Sequence, residues 1–159
     1  MNDAYFLLGS NMGNSAEQLA TACSMIADQL GNIHRSSSVY RTAAWGLRDQ
    51  PDFLNQVIRV DCRMTALQAI EKVLAIEQSM GRTRTKKNAP RIIDIDILYF
   101  NNDIIDLPHL QVPHPAIQAR RFVLVPLNEI APRFVHPVLH VSNRELLDIC
   151  TDPLDVKKI

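Results

Sequence analysis

The segment APRIIDIDILYF, residues 89–100, has the apolar, β-branched composition of a buried strand, yet it carries two aspartates near its centre. Because successive side chains of a strand point to opposite faces, Asp94 and Asp96 share one face. The isoleucines at positions 93, 95 and 97 point to the other face, into a predicted core. The segment is therefore expected to form a strand with one apolar face and one face of paired carboxylates.

The remaining sequence alternates between strand and helix patterns. Strand patterns cover residues 4–10, 33–42 and 53–62, and helix patterns cover residues 11–31, 65–81, 120–132 and 142–150. Residues 103–107 are a candidate return strand of a hairpin that begins with residues 92–100. The order strand, helix, strand, strand, helix, strand predicts an α+β fold, a ferredoxin-like sandwich with helices packed on a mainly antiparallel sheet. The 159 residues, 1–159, suit a single domain.

Charge balance and cysteine usage limit the class of protein. The chain has 17 basic and 17 acidic residues, which argues against binding nucleic acid or an anionic membrane over its whole surface. No apolar run approaches the roughly 20 residues of a membrane-spanning helix. The 3 cysteines form no CxxC pair, and the amino terminus shows no secretory signal. We therefore expect a cytoplasmic protein with reduced thiols that binds neither nucleic acid nor membranes.

The carboxylates of Asp94 and Asp96 would repel each other on their shared face, and removal of water strengthens the repulsion. A nearby cation would offset it. Mg²⁺ prefers oxygen ligands and commonly takes one or two carboxylates, with water and phosphate oxygens completing its shell. The pair is therefore a candidate Mg²⁺ site. The alternative is a solvent-facing sheet surface whose aspartates only discourage pairing at the edge.

A basic segment, GRTRTKKNAPR, directly precedes this strand. Its cations are Arg82, Arg84, Lys86, Lys87 and Arg91. Guanidinium groups fit phosphate oxygens in a fork geometry, and a polyphosphate is well held by a metal on one side and guanidinium groups on the other. The segment is a candidate polyphosphate-binding segment; a solvated run of charges is the alternative.

Glu77 is unusual for a structural residue. The apolar stripe of the second helix is expected to consist of Leu67, Ile70, Val73, Leu74 and Met80. Glu77 lies on the same buried side, near the carboxyl end of the helix, where the helix dipole disfavours an anion. A cation or a hydrogen-bonding ligand would stabilise it there. Pairing with Arg82 or Arg84 is the other interpretation.

Phe53 and Asn55 share the face of their strand that is expected to lie away from the core. An aromatic ring beside a side-chain amide can hold a flat heterocycle, by stacking and by hydrogen bonds to the edge of the ring. These two residues are candidates for such a site, although an exposed phenylalanine alone is more often ordinary surface.

The block KNAPRIIDIDIL, residues 87–98, resembles the signature of the 6-hydroxymethyl-7,8-dihydropterin pyrophosphokinase family of the folate pathway. Further similar blocks follow the family order over nearly the whole chain: AYFLLGSN, VYRTAAWG, DQPDFLNQV, IEQSMGRTR, VPHP and RRFVLVPLNEIAP. The resemblance implies that MgATP gives its β,γ-pyrophosphoryl group to the hydroxymethyl oxygen of the pterin and leaves as AMP. ATP and 6-hydroxymethyl-7,8-dihydropterin would then be the partners of a monomeric enzyme.

The resemblance also assigns roles to individual residues. Asp94 and Asp96 would hold two Mg²⁺ ions, and Arg82 and Arg91 would act with them as catalytic residues on the phosphates. The ATP site would be lined by Glu77, Arg84, Arg91, Ile97, His114 and Arg120. The pterin site would be lined by Thr42, Ala43, Trp45, Phe53, Asn55, Asp94 and Phe122, with the two phenylalanines stacking on the ring.

Two other functions remain open at this point. A ferredoxin-like sheet can also present aromatic side chains to RNA bases, but the sequence has no aromatic cluster of that type and no net positive charge. An inactive paralogue would keep the fold without the chemistry, and the retained aspartate pair, arginines and Asn55 argue against it. The chain lacks the P-loop pattern GxxxxGK[ST], so a P-loop enzyme is excluded.

Overall fold

The structure, a computed structural model, describes residues 1–43, 50–81 and 92–159. These residues form eight strands: β1 (Asn2–Ser10), β2 (Gly31–Ser36), β3 (Tyr40–Thr42), β4 (Phe53–Cys62), β5 (Asp94–Phe100), β6 (Ile105–Leu107), β7 (Leu110–Val112) and β8 (Val156–Lys158). The main sheet has the order β5-β1-β4-β3-β8, and β2 pairs with the second half of β4. All of these pairings are antiparallel, as the sequence predicts.

Helices cover both faces of this sheet. They are α1 (Ser15–Gln29), α2 (Ala66–Ser79), a short 3-10 helix (Ile117–Ala119), α3 (Arg121–Ile130) and α4 (Asn143–Ile149). The helix patterns of the sequence are thereby confirmed in number and order. No helix within the described part of the chain is long and apolar enough to cross a membrane.

The first core lies between the sheet and the helices α1 and α2. The sheet contributes Ala4, Phe6, Leu8, Ile58, Val60, Ile95 and Ile97, the residue before β5 contributes Ile93, and the helices contribute Leu19, Ile26, Val73 and Ile76. The prediction that the isoleucines at positions 93, 95 and 97 point into a core is therefore confirmed. Burial of these three side chains fixes the orientation of β5, because a shift by one residue would turn them to the other face.

The second core covers the opposite face of the sheet, which the alternation in β4 predicts to lie away from the core. That prediction is wrong for Val57, which is fully buried. The second core is formed by Tyr5, Leu7, Val57, Leu98 and Tyr99 of the sheet with Val123, Leu124, Leu127 and Leu146 of α3 and α4. Because α3 and α4 cover only part of this face, the ends of the strands beyond them remain available for a site.

The apolar stripe predicted for α2 is wrong in part. Leu67 is 47% exposed and Leu74 is 36% exposed. The buried face consists of Ala66, Ala69, Val73, Ile76 and Glu77. Small alanines on this face leave room for the helix to approach the sheet closely, so the helix is rotated relative to the stripe of large side chains.

The hairpin predicted for residues 103–107 also differs. Ile105–Leu107 pairs with Leu110–Val112, which follows it in the chain, and not with β5. A two-residue connection, Pro108 and His109, joins these strands. Short hairpin connections of this length are common, and the resulting separate β-ribbon places residues 108–111 near the edge of β5.

A buried polar network joins the second core to the chain that leaves α3. Asn143, which is fully buried, accepts a hydrogen bond from the hydroxyl of Tyr99 at 2.7 Å and donates one to the carbonyl of Ala131 at 2.8 Å. Burial raises the pKa of Tyr99, so its hydroxyl stays protonated and acts as the donor. Each of these polar groups would be costly to bury without its partner.

We expect Asn143→Ala to lower the free energy of unfolding by about 2–4 kcal/mol, because it leaves the Tyr99 hydroxyl buried without a partner and removes the shorter of the two hydrogen bonds to the Ala131 carbonyl. Tyr99→Phe removes only the hydroxyl group and should lower the free energy of unfolding by a smaller amount. The double variant should cost less than the sum of the two, since the hydroxyl that Asn143→Ala strands is then absent. Urea denaturation measures all three values; strictly additive costs would contradict the network.

Candidate active site

A cleft of about 520 Å³ opens on the second face of the sheet, at the end where β1 and β3 finish and β4 and β5 begin. It is lined by Leu7, Gly9, Thr42, Ala43, Phe53, Asn55, Asp94, Asp96, Arg120 and Phe122. We call it the sheet-end cleft. Eight of these ten residues are site residues predicted from the sequence; Leu7 and Gly9 are not among them.

Strand register explains why these side chains meet. Gly9 of β1 pairs with Asn55 of β4 on one side and with Asp94 of β5 on the other. Paired residues of neighbouring strands face the same side of a sheet. The amide of Asn55 and the carboxylate of Asp94 therefore flank a position that has no side chain.

Gly9 is required at this position for space. A Cβ atom built on Gly9 would lie 2.9 Å from Oδ1 of Asn55, closer than a carbon and an oxygen atom normally approach. The absence of a side chain at Gly9 thus lets the Asn55 amide lie flat on the sheet. The sequence contains only a weak sign of this role, a glycine at the end of an apolar strand.

Asn55 is held in one orientation. Its Nδ2 donates to Oγ1 of Thr42 at 3.0 Å, and both side chains are buried. This hydrogen bond joins β4 to β3 on the floor of the sheet-end cleft and restricts the rotation of the Asn55 amide. The oriented amide is suited to recognise the edge of a polar ring.

Aromatic rings enter the sheet-end cleft from two elements. Phe53 lies at the first position of β4, and Phe122 lies in the first turn of α3, the helix that packs on this face. The guanidinium carbon of Arg120 lies 5.6 Å from the centre of the Phe122 ring, within the range of a cation–π contact. Sheet and helix together therefore supply two aromatic walls and a cation.

A second cleft, of about 680 Å³, lies at the edge of β5 beside the β6–β7 hairpin. It is lined by Ile70, Ile95, Asp96, Ile97, Pro108, His109, Leu110, Gln111, His114 and Pro115. We call it the edge cleft. Ile97 and His114 were expected at an ATP site, whereas Ile70 and residues 108–111 were not. Asp96 lines both clefts and so marks the place where they meet.

His114 is neutral in this environment. Burial, followed by the charge of Arg120, lowers its pKa to about 4, and the opposite effect of Asp94 is smaller. Its Nδ1 accepts a hydrogen bond from the backbone N–H of Ala116 at 3.1 Å, which leaves Nε2 as the protonated nitrogen. His114 can therefore act as a hydrogen-bond donor in the edge cleft without carrying a charge.

Glu77 is buried beneath the aspartate pair. It is 2% exposed, and its Oε2 accepts a hydrogen bond of 2.7 Å from the backbone N–H of Ile95, the residue between Asp94 and Asp96. β5 is an edge strand, so this N–H points away from β1 and needs a partner from outside the sheet. The carboxylate thus supports the segment of β5 that carries both aspartates.

Four of the site residues predicted from the sequence, Trp45, Arg82, Arg84 and Arg91, lie outside the described residues. Arg120, expected at the ATP site, lines the sheet-end cleft and acts electrostatically on His114 in the edge cleft.

Asp94 and Asp96 both line the sheet-end cleft, and Asp96 also lines the edge cleft. Within residues 1–43, 50–81 and 92–159, no three His, Cys, Asp or Glu side chains lie close enough together to form a metal site. A pair of carboxylates fits Mg²⁺, which commonly takes one or two of them and fills its remaining positions with water or phosphate oxygens.

The sequence matches a known family over most of its length. Residues 5–132 match the family described as 7,8-dihydro-6-hydroxymethylpterin-pyrophosphokinase (HPPK). The chain is similar to the 2-amino-4-hydroxy-6-hydroxymethyldihydropteridine pyrophosphokinase of Haemophilus influenzae, with 39% identity over 139 residues, 86% of this chain and 86% of that protein. The protein of the same name from Aquifex aeolicus is 36% identical over 145 residues, 91% of this chain and 90% of that protein.

Longer proteins and a solved structure are similar as well. The "Folic acid synthesis protein FOL1" of Dictyostelium discoideum is 35% identical over 145 residues, but this chain spans only 22% of its length. The wild-type HPPK-DHPS of Plasmodium falciparum has a TM-score of 0.75 and 20% identity, covering 92% of this chain and 44% of that chain. This structural likeness supports the fold alone and confirms the predicted ferredoxin-like α+β architecture.

We expect Gly9→Ala to displace the Asn55 amide from Thr42 and to lower the free energy of unfolding by about 1–3 kcal/mol, as overpacking does. The amide ¹H–¹⁵N signals of Asn55 should shift in the NMR spectrum. In an Asn55→Ala background the clashing oxygen is absent, so Gly9→Ala should then change the free energy of unfolding only slightly. An equal cost of Gly9→Ala in both backgrounds would contradict the close approach.

Proposed function

This chain belongs to the 7,8-dihydro-6-hydroxymethylpterin-pyrophosphokinase family, and from that premise we propose that it transfers pyrophosphate from MgATP to 6-hydroxymethyl-7,8-dihydropterin. In this reaction the hydroxymethyl oxygen forms a bond to the β-phosphorus of ATP and loses its proton to solvent, while the bond from that phosphorus to AMP breaks. The products are the pterin diphosphate and AMP, and the reaction belongs to folate synthesis.

One observation carries the proposal: two clefts of different character share Asp96. The sheet-end cleft has aromatic walls and an oriented amide, which suit a flat heterocycle. The edge cleft has apolar side chains and a neutral histidine donor. An acceptor in the first and a nucleotide in the second would bring their reacting groups together beside the two aspartates, and such alignment is a large part of catalysis.

The sheet-end cleft would bind the pterin. Phe53 and Phe122 would stack on the ring, and Asn55, oriented by Thr42, would bond to its polar edge. Backbone groups of Thr42 and Ala43 would add further hydrogen bonds at the same edge. Trp45, which the family resemblance also assigns to this site, belongs to the same proposal.

The edge cleft would bind ATP, with Ile97 and His114 beside the nucleotide. Arg120, between the two clefts, would face the phosphates, and Arg82, Arg84 and Arg91 would contact them as the family resemblance implies. Glu77 would support the site by holding β5 through Ile95. Fixed positive groups aimed at the transferring phosphate charge stabilise it without reorganisation.

Asp94 and Asp96 would hold Mg²⁺, and we propose two ions. When bound, Mg²⁺ neutralises phosphate charge and polarises the phosphoryl oxygens. A monomeric state stays a prediction. A cytoplasmic location and the absence of nucleic-acid and membrane partners stay predictions.

The proposed reaction is tested by AMP release that depends on the pterin. We expect Asp94→Ala and Asp96→Ala to lower this rate by about 10³-fold or more, because each removes a ligand and with it several kcal/mol of charge stabilisation. Asp103→Ala is the matched control: Asp103 is an exposed aspartate just after β5 that lines neither cleft, so its rate should be unchanged. Wild-type rates in either cleft variant would contradict the roles of the aspartates.

The heterocycle site is tested separately by calorimetry. Phe122→Ala should weaken pterin binding in the presence of an ATP analogue by about 1–3 kcal/mol of lost burial and stacking. Binding of the ATP analogue alone should change little. Phe134→Ala is the control for general loss of packing, since Phe134 packs on Tyr5 and Tyr99 in the second core. A Phe122 variant that loses nucleotide affinity and keeps pterin affinity would reverse the assignment.

A further inference from the structure

The far end of α3 is joined to the sheet by the side chain of Glu129. Its Oε1 accepts hydrogen bonds from the backbone N–H of Ser38 at 3.0 Å and from the hydroxyl of Tyr40 at 2.6 Å. Its Oε2 accepts one from the hydroxyl of Ser38 at 2.9 Å. One carboxylate therefore receives three hydrogen bonds from the segment that leads into β3, although Glu129 lines neither cleft.

The charge state of this contact is fixed at neutral pH. Burial raises the pKa of Glu129, but the hydrogen bonds from Tyr40 and Ser38 and the charge of Lys158 outweigh it, and the net pKa is lowered. Burial and the contact with Glu129 raise the pKa of Tyr40 to about 12. An ionised acceptor and protonated donors give charge-assisted hydrogen bonds, which are stronger than neutral ones.

On the helix side, α3 connects the contact to the sheet-end cleft. Phe122 and Glu129 are seven residues apart, two turns of α3, and so lie on the same side of the helix, about 10 Å apart along its axis. Pro126 lies between them and removes the helical hydrogen bond to the carbonyl of Phe122. Burial of Leu124 and Leu127 in the second core holds the two turns together. The position of the Glu129 end therefore influences the position of the Phe122 ring.

On the sheet side, Tyr40 and Thr42 lie on the same face of β3. Tyr40 pairs with Asn55, and Thr42 pairs with Phe53. The strand that Glu129 holds is therefore the one that aligns the oriented amide and the first aromatic wall. β3 has only three residues, so its own ladder bonds are few.

We propose that Glu129 is a positioning residue that sets the spacing between the helix wall and the sheet wall of the sheet-end cleft. This inference rests on the proposed function, because the spacing matters only if a flat ring binds there. A ring between two aromatic walls needs about 3.5–4 Å on each side, so a small shift of α3 would weaken the stacking. Glu129 acts through Tyr40 and Ser38 and does not touch the substrate.

Glu129→Ala is expected to raise the KM and the Kd for the pterin about tenfold, while kcat at saturation and the affinity for an ATP analogue change less than about twofold. Glu129→Gln should restore most of the pterin affinity. The glutamine Oε1 can still accept from the Ser38 N–H and the Tyr40 hydroxyl, and its amide group can donate to the Ser38 hydroxyl. If Glu129 only stabilised the fold, Glu129→Ala would not weaken pterin binding selectively while leaving the affinity for the ATP analogue nearly unchanged.

Two further variants complete the test. Tyr40→Phe removes one donor without a change of shape and should raise the pterin Kd less than Glu129→Ala does; in its background the effect of Glu129→Ala should shrink. Asp3→Asn is the matched control. It weakens the paired contacts of Asp3 with Arg59, 2.6 and 3.0 Å, which join β1 and β4 near the end of the sheet remote from the clefts.

Unchanged pterin affinity in both Glu129→Ala and Tyr40→Phe, with a lowered Tm, would overturn the inference. An equal loss of pterin affinity in Asp3→Asn would overturn it too, because the effect would then follow stability and not the contact. The wild-type protein tests the proposed function separately. If it neither binds the pterin nor releases AMP, both the proposed function and this inference are wrong.

Discussion

The two-residue alternation of β5 is the constraint on which the site depends. Its isoleucines are buried in the first core, so Asp94 and Asp96 must face the opposite side. Two carboxylates on one strand face would be unfavourable in a purely structural sheet. Here both line the sheet-end cleft, Asp96 also lines the edge cleft, and the buried carboxylate of Glu77 holds the backbone between them. The core thus fixes the face of the sheet on which both carboxylates lie.

The second face of the sheet forms both a core and the floor of a cleft. Where α3 and α4 cover it, apolar side chains form a second core; beyond the start of α3, the same strands form the floor of a cleft. Gly9 makes this cleft floor possible, because its missing side chain leaves space for the Asn55 amide next to the aspartates. The same strands therefore form both the second core and the sheet-end cleft, and α3, which completes the second core, also carries the aromatic wall at Phe122.

Residues whose roles follow from local periodicity could be predicted from the sequence. The shared face of Asp94 and Asp96, and that of Phe53 and Asn55, needed only the alternation of a strand. Roles that depend on pairing between distant segments could not be found this way. The cleft position of Gly9 depends on register, and the lining by residues 108–111 depends on where a hairpin folds back.

The stripe of α2 was predicted incorrectly for a related reason. Large side chains suggested a face through Leu67 and Leu74, whereas contact with the sheet selected the face with small alanines and Glu77. The same contact brings Glu77 to the backbone of Ile95, a partner that the sequence interpretation did not consider. Which side of a helix packs best depends on the surface it meets, and this surface is formed by residues far away in the sequence.

A crystal structure with Mn²⁺ in place of Mg²⁺, a non-hydrolysable ATP analogue and 6-hydroxymethylpterin tests the central claim, that the two substrates meet across the aspartates. The account predicts anomalous Mn²⁺ peaks within about 2.5 Å of carboxylate oxygens of Asp94 and Asp96. It also predicts the heterocycle beside Phe53 and Asn55 and the nucleotide beside His114. Both ligands in one cleft, or metal peaks remote from both carboxylates, would contradict it.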